Sequence, residues 1–84
     1  MEKGVRMDAA SRAVRAMLRG MAPVRSIPLI QSFQLPAEEE LVLIQCECRR
    51  RSAQQVALDN SMSVETVKRR RRSALRKISR LTEI

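Results

Sequence analysis

The chain has 84 residues and a mass of 9.6 kDa, which allows one small domain with at most an extra docked helix and leaves little depth for a catalytic cleft. It contains no His, Trp or Tyr and a single aromatic residue, Phe33. That composition removes histidine acid–base chemistry, histidine metal sites and aromatic stacking platforms for single-stranded bases. Its formal charge is +8, and the distribution is lopsided: residues 1–48 balance six basic against six acidic side chains, whereas residues 49–84 carry eleven Lys/Arg against Asp59, Glu65 and Glu83. A basic half of this kind points to a polyanionic partner, nucleic acid before anionic membrane. No apolar run approaches the ~20 residues that span a bilayer, and no secretory signal is present.

The first helix is predicted over Ala9–Arg19, with Asp8 as N-cap, Gly20 at its C-terminal end and Pro23 as a stop. Ala10, Val14, Met17, Leu18 and Met21 form one apolar stripe, with Arg12, Arg15 and Arg19 opposite. Such a basic amphipathic helix suits a membrane surface or a targeting peptide. Its weak hydrophobicity and lack of aromatic anchors favour docking on the rest of the domain or on a second copy. In residues 20–36, Gly20, Pro23, Pro28 and Pro36 argue against a continuous helix. Ile27, Leu29, Ile30, Phe33 and Leu35 are nonetheless too apolar for a free linker, so this reads as a packed connection with at most one short helical turn.

A second strong helix opens with Pro36 at its first position and Glu38, Glu39 and Glu40 at its positive N-terminal end. Ala37, Leu41, Ile44 and Cys48 mark a single buried face, and Arg49, Arg50 and Arg51 close the helix where cations are favoured. The two cysteines, Cys46 and Cys48, lie ~200° apart around a helix, so they neither pair as a disulfide nor share a metal. With no His and no further Cys, zinc lacks ligands. At least one packed thiol in a reducing cytosol is the simpler reading.

Ser52-Ala53-Gln54-Gln55 has capping-box spacing and begins a short helix to Asp59 that buries Ala53, Val56 and Ala57. Asn60-Ser61-Met62 is a tight turn. Ser63 caps a last helix of ~20 residues and ~30 Å. Projected at 100° per residue, Val64, Ala74, Leu75, Ile78 and Leu81 gather around Val67, while Glu65, Arg69, Arg72 and Arg76 lie opposite with Lys68 at their edge. A helix with such a basic stripe fits the major groove of B-DNA, where Arg and Lys donate to guanine O6 and N7.

From Leu35 to about Leu81 the sequence resembles the helix-turn-helix of bacterial sigma factor region 4 and of LuxR-type regulators. The resemblance rests on Leu35-Pro36 before an acid-rich helix, on Ser52-Ala-Gln-Gln-Val-Ala57 as the first motif helix, on Met62 to Lys68 as turn and recognition-helix start, and on Ala74-Leu75-Arg76-Lys77-Ile78. It implies base contacts from Glu65, Lys68 and Arg69, with phosphate contacts from Thr66, Ser52 and Arg72. The whole candidate DNA-binding set is Ser52, Gln54, Ser63, Val64, Glu65, Thr66, Lys68, Arg69, Arg72 and Arg76. Two departures stand out. The family has Leu and Gly where this chain has Asn60 and Ser61, and an apolar residue at the position of Arg70 or Arg71. Arg71 falls inside the apolar arc, where its stem can cover the core while its head reaches water or phosphate. That substitution predicts a marginally stable domain.

The expected fold is therefore all-α: an N-terminal amphipathic helix and packed segment over residues 1–34, then a helix-turn-helix domain with a long recognition helix over residues 35–84. The expected function is that of a cytoplasmic, sequence-specific double-stranded DNA-binding transcription regulator, similar to small phage- or mobile-element-encoded regulators. No nucleophile–base pair or metal constellation suggests an enzyme, and no cofactor is implied. The chain lacks the aromatic promoter-melting domain of a complete sigma factor. A homodimer through the Met-containing stripe of residues 10–21 is a further expectation. The alternatives are a module that binds RNA polymerase or an anti-sigma partner, and an architectural DNA-binding protein indifferent to sequence.

Overall fold

A computed structural model describes residues 8–82. The fold is all-α: α1 (Ala9–Arg19), α2 (Pro23–Ser32), α3 (Ala37–Leu43) running on into a π-helical turn (Ile44–Cys48), α4 (Ala53–Asp59) and α5 (Val64–Thr82). Three of these helices begin at a side-chain cap. The carboxylate of Asp8 accepts from the Ser11 amide at 2.8 Å, Ser52 Oγ from Gln55 at 3.1 Å and Ser63 Oγ from Thr66 at 3.0 Å. Each cap satisfies one of the donors that a helix start leaves open. The Ser52 capping box is only half made, because the Gln55 amide donates to Asp59 Oδ1 at 2.9 Å instead of reaching back.

The segment after α1 departs from the sequence expectation. Residues 23–32 form a ten-residue helix despite two prolines. Pro23 does not stop α1; it starts α2, where its fixed φ is already helical and its missing N–H costs nothing. Pro28 sits inside α2 and leaves the Val24 carbonyl without its usual donor. Val24 and Pro28 are both exposed, so that carbonyl lies on the watered side of the helix. Gly20 caps α1 in a right-handed conformation (φ −82°) that any residue adopts.

In the third helix Pro36 is the N-cap, one residue ahead of the expected first position. The expected buried face of Ala37, Leu41 and Ile44 is also displaced. Ala37 is exposed and Leu41 and Ile44 are half-buried, while Val42, Leu43, Cys46, Glu47 and Cys48 are buried. The buried stripe of α3 instead runs through Glu39, Val42, Leu43 and Cys46, and the helix then widens into a π turn, in which the Arg49 amide donates to Ile44 O and the Arg51 amide to Gln45 O. The wider turn breaks the 3.6-residue period and lets three consecutive side chains point inward.

Two apolar clusters hold the helices together. Val14 and Leu18 of α1, Ile30 of α2, Leu35, Leu43, Cys48, and Ala74, Leu75 and Ile78 of α5 make the larger. Val42, Cys46, Val56, Ala57 and Val67 make the smaller, which packs α4 on α5. The cysteines thus serve different clusters, as their divergent spacing requires, and both are free thiols. On α1 only Val14 and Leu18 of the expected stripe are buried; Ala10 and Met17 are exposed and Met21 is half-buried. Leu81, expected on the apolar arc of α5, is 62% exposed. No helix among the described residues is long and apolar enough to cross a membrane.

Candidate nucleic-acid interface

The segment from Ser52 to Thr82 is a short helix, a tight turn and a long helix. Asn60 closes α4, its side-chain amide donating to Val56 O at 2.8 Å, and the Met62 amide donates to Ala57 O at 2.9 Å. Ser61 takes the left-handed conformation, φ 55°. That conformation favours glycine, and here it is borne by a residue with a Cβ. Ala57 is 4% exposed against Val67 in the smaller cluster, and a larger side chain there would push α4 off α5.

α5 has the two faces expected from its sequence. Val67, Ala74, Leu75 and Ile78 are buried, while Glu65, Lys68, Arg69 and Arg76 are exposed and Arg72 is half-buried. Glu65 to Arg80 spans about 22 Å of helix at 1.5 Å per residue. Among the expected site residues, Ser52 and Ser63 spend their hydroxyls as caps. Ser63 Oγ also donates to Thr66 Oγ1 at 2.9 Å. Gln54 is exposed on the first turn of α4. Val64 is half-buried against the smaller cluster, so it faces the core more than a ligand.

The inner polar edge of α5 is fastened to α3. Arg70 Nε donates to Glu38 Oε1 at 2.6 Å, and Ser73 Oγ and Lys77 Nζ both donate to Glu39 Oε2, at 3.1 and 3.0 Å. Glu38 and Glu39 therefore do more than complement the helix end: they tie α3 to α5. Arg71 is half-buried, with a buried Nε that has no hydrogen-bond partner among the described residues. Elsewhere Arg51 pairs with Asp59 at 2.5 Å and Arg50 donates to Arg19 O at 2.9 Å. Lys68, Arg69, Arg72 and Arg76 make no salt bridge among the described residues.

Sequence reasoning missed one polar centre. Glu47 is fully buried, and its Oε1 accepts from Arg15 Nε at 3.2 Å and Arg19 Nε at 2.5 Å. The two arginines, each about a third exposed, turn their Nε inward over the π segment. The available signal was an acid flanked by two cysteines at the end of a largely apolar run. No protein-family model, curated protein or solved structure matches the chain.

Proposed function

We propose that this protein is a sequence-specific double-stranded DNA-binding transcription regulator that places the first half of α5 in the major groove. The observation that carries this reading is the outer row of α5. Lys68, Arg69, Arg72 and Arg76 project from one side of a rigid helix without internal salt bridges, while Arg70 and Lys77 on its inner edge are held by Glu38 and Glu39. A helix of this width enters the groove, and its exposed N-terminal half offers both an acceptor, Glu65, for cytosine N4 and donors, Lys68 and Arg69, for guanine. α4, packed across it through Ala57 and the Ser61 turn, would lie toward the backbone with Ser52 and Gln54 near phosphates.

The test is selection from a random duplex library at near-physiological salt, followed by binding of the selected site. Salt matters because the charge alone drives non-specific binding when ions are dilute. The expected result is an enriched motif whose binding Arg69→Ala weakens by about 1–3 kcal/mol while relaxing the preference at one base pair. An equal loss on every sequence would make Arg69 a phosphate contact. Binding without enrichment would favour the architectural reading. Absence of binding, with retention on core RNA polymerase, would favour the interaction module.

A further inference from the structure

Exposed and half-buried cations run most of the way round the solvent side of α5. Projected at about 100° per residue, they follow one another from Lys68 through Arg72, Arg76 and Arg69 to Lys77 and Arg70, an arc of about 200°. More than half a circumference cannot face the floor of a groove at once. Like charge spread over such an arc draws a polyanion to any part of it, whatever its sequence. Sequence reading needs one face, so something must disqualify the others.

The two ends of the arc differ. Lys68, Arg72, Arg76 and Arg69 make no salt bridge among the described residues. Arg70 and Lys77 lie about 80–100° round from Arg69, on the side where α3 packs, and each meets a carboxylate. Lys77 Nζ donates to Glu39 Oε2 at 3.0 Å, and the same oxygen accepts from Ser73 Oγ at 3.1 Å. Glu39 is only 10% exposed, so that pair is part of the packing of α3 on α5. Arg70 and Glu38 meet in the open. Arg70 Nε donates to Glu38 Oε1 at 2.6 Å, with the two side chains 37% and 50% exposed. An exposed pair adds little to folding, so its consequence falls on whatever reaches that side of α5 from solvent. A charge is felt over about 8 Å at physiological salt. The Glu38 carboxylate therefore bears on a phosphate approaching Arg70, and its effect fades round the helix.

We propose that Glu38 is a specificity-determining residue: it occupies Arg70 and repels phosphate beside it, which excludes poses of DNA rolled toward α3 and leaves the face of Glu65, Lys68 and Arg69 as the one that enters the groove. This inference rests on the DNA-binding reading given above. In a rolled pose Arg70 would supply a phosphate contact, and the residues that read bases would turn off the groove floor. Such a pose serves any sequence, so closing it weakens binding to unselected DNA and spares the selected site.

The experiment is fluorescence anisotropy of the full chain with two labelled duplexes of about 24 base pairs, one carrying the site enriched from the random library and one with that site scrambled, each across a salt series. Glu38→Gln, Arg70→Gln and the double variant are compared with the parent protein, with folding followed by circular dichroism. Glu38→Gln should tighten binding to the scrambled duplex about 5-fold at about 150 mM salt, the weight of one added phosphate contact, and steepen its slope of log affinity against log salt by about 0.9. Affinity for the selected duplex should stay at the parent value, so the ratio of the two falls. Arg70→Gln should leave both affinities unchanged, and the double variant should restore the parent ratio. Equal tightening on both duplexes in Glu38→Gln, or tightening on neither, would overturn the proposal while leaving DNA binding intact. So would a double variant that keeps the lowered ratio, or a weaker scrambled complex in Arg70→Gln, since Arg70 would then already contact DNA. No enriched site, or no binding by the parent protein, would overturn the DNA reading itself, and the role of Glu38 with it.

Discussion

Glu47→Gln tests the buried centre directly. The substitution keeps volume and shape, so no cavity term enters, and it removes one negative charge from a site with no solvent exposure. Glu47 Oε1 takes two guanidinium donors and Oε2 has no partner; in the variant, one amide oxygen must serve both arginines and the amide NH₂ faces a place with no acceptor. Breaking a fully buried ion pair costs about 3–5 kcal/mol. Here the two arginines are about a third exposed and water can relieve them in part, which brings the expected loss to about 2–3 kcal/mol. For a domain of this size about 1 kcal/mol moves Tm by 4–8 °C, so thermal unfolding followed by circular dichroism should shift down by about 10–20 °C. Glu38→Gln is the matched control: its pair with Arg70 is half-exposed on the Glu38 side and is worth about 0–1 kcal/mol. If Glu47→Gln melts no lower than Glu38→Gln, the buried carboxylate is not what holds α1 over the π turn.

Three further outcomes follow from the backbone and the core. Ser61→Gly should stabilise the chain by about 0.5–1 kcal/mol, because the left-handed conformation at φ 55° costs an L-residue about 1–2 kcal/mol and glycine returns only part of that as unfolded-state entropy; a lower denaturation midpoint would contradict this. Pro28→Ala restores the amide donor to the Val24 carbonyl on an exposed face of α2 and should raise stability by about 1–2 kcal/mol, less than the ~3 of a buried helix interior. A fall in Tm would show that the ring packs in a way its exposure does not suggest. Cys46 is 1% and Cys48 6% exposed, and burial pushes the Cys46 thiol up. Both should therefore resist a thiol reagent such as 5,5′-dithiobis(2-nitrobenzoate) at neutral pH and react at once in denaturant. Rapid reaction of either in the native protein would mean that the π segment opens readily.

Where the fold was legible in the sequence, capping chemistry made it so. Asp8, Ser52 and Ser63 mark the starts of α1, α4 and α5, and each side-chain oxygen accepts the amide three residues on. The 100° projection separated the buried and exposed faces of α5, apart from Leu81 at its end. Other features hid for identifiable reasons. Proline reads as a breaker, yet Pro23 at a helix start and Pro28 opposite solvent are tolerated within α2. The buried stripe of α3 starts at a charged residue, Glu39, and runs through Val42, Leu43 and Cys46, so a search for apolar residues through Ala37, Leu41 and Ile44 picks the wrong face. Left-handed positions also escape a search for glycine: Gln34, Arg50 and Ser61 take them, while Gly20 does not. Among the candidate site residues, the exposed row of Lys68, Arg69 and Arg76 is a local property of one helix and follows from its period. The Glu47 centre joins residues about thirty apart in sequence, which no periodicity reports.

That long-range pairing changes what the net charge means. Counted along the chain, residues 49–84 hold the whole excess and residues 1–48 none. In the fold, however, Glu38 and Glu39 of the neutral half face Arg70 and Lys77 of the basic half, while Asp59 holds Arg51. Three side chains of the basic half, Arg51, Arg70 and Lys77, thus have acidic partners inside the molecule, as do Arg15 and Arg19 of the neutral half. The pairs do not simply cancel charge. Those on α3 add to a packing already set by the buried Val67, Ala74, Leu75 and Ile78, which turns Lys68, Arg69, Arg72 and Arg76 away from the core. A charge that is oriented in this way can select a partner where an equal but unordered charge would only attract one.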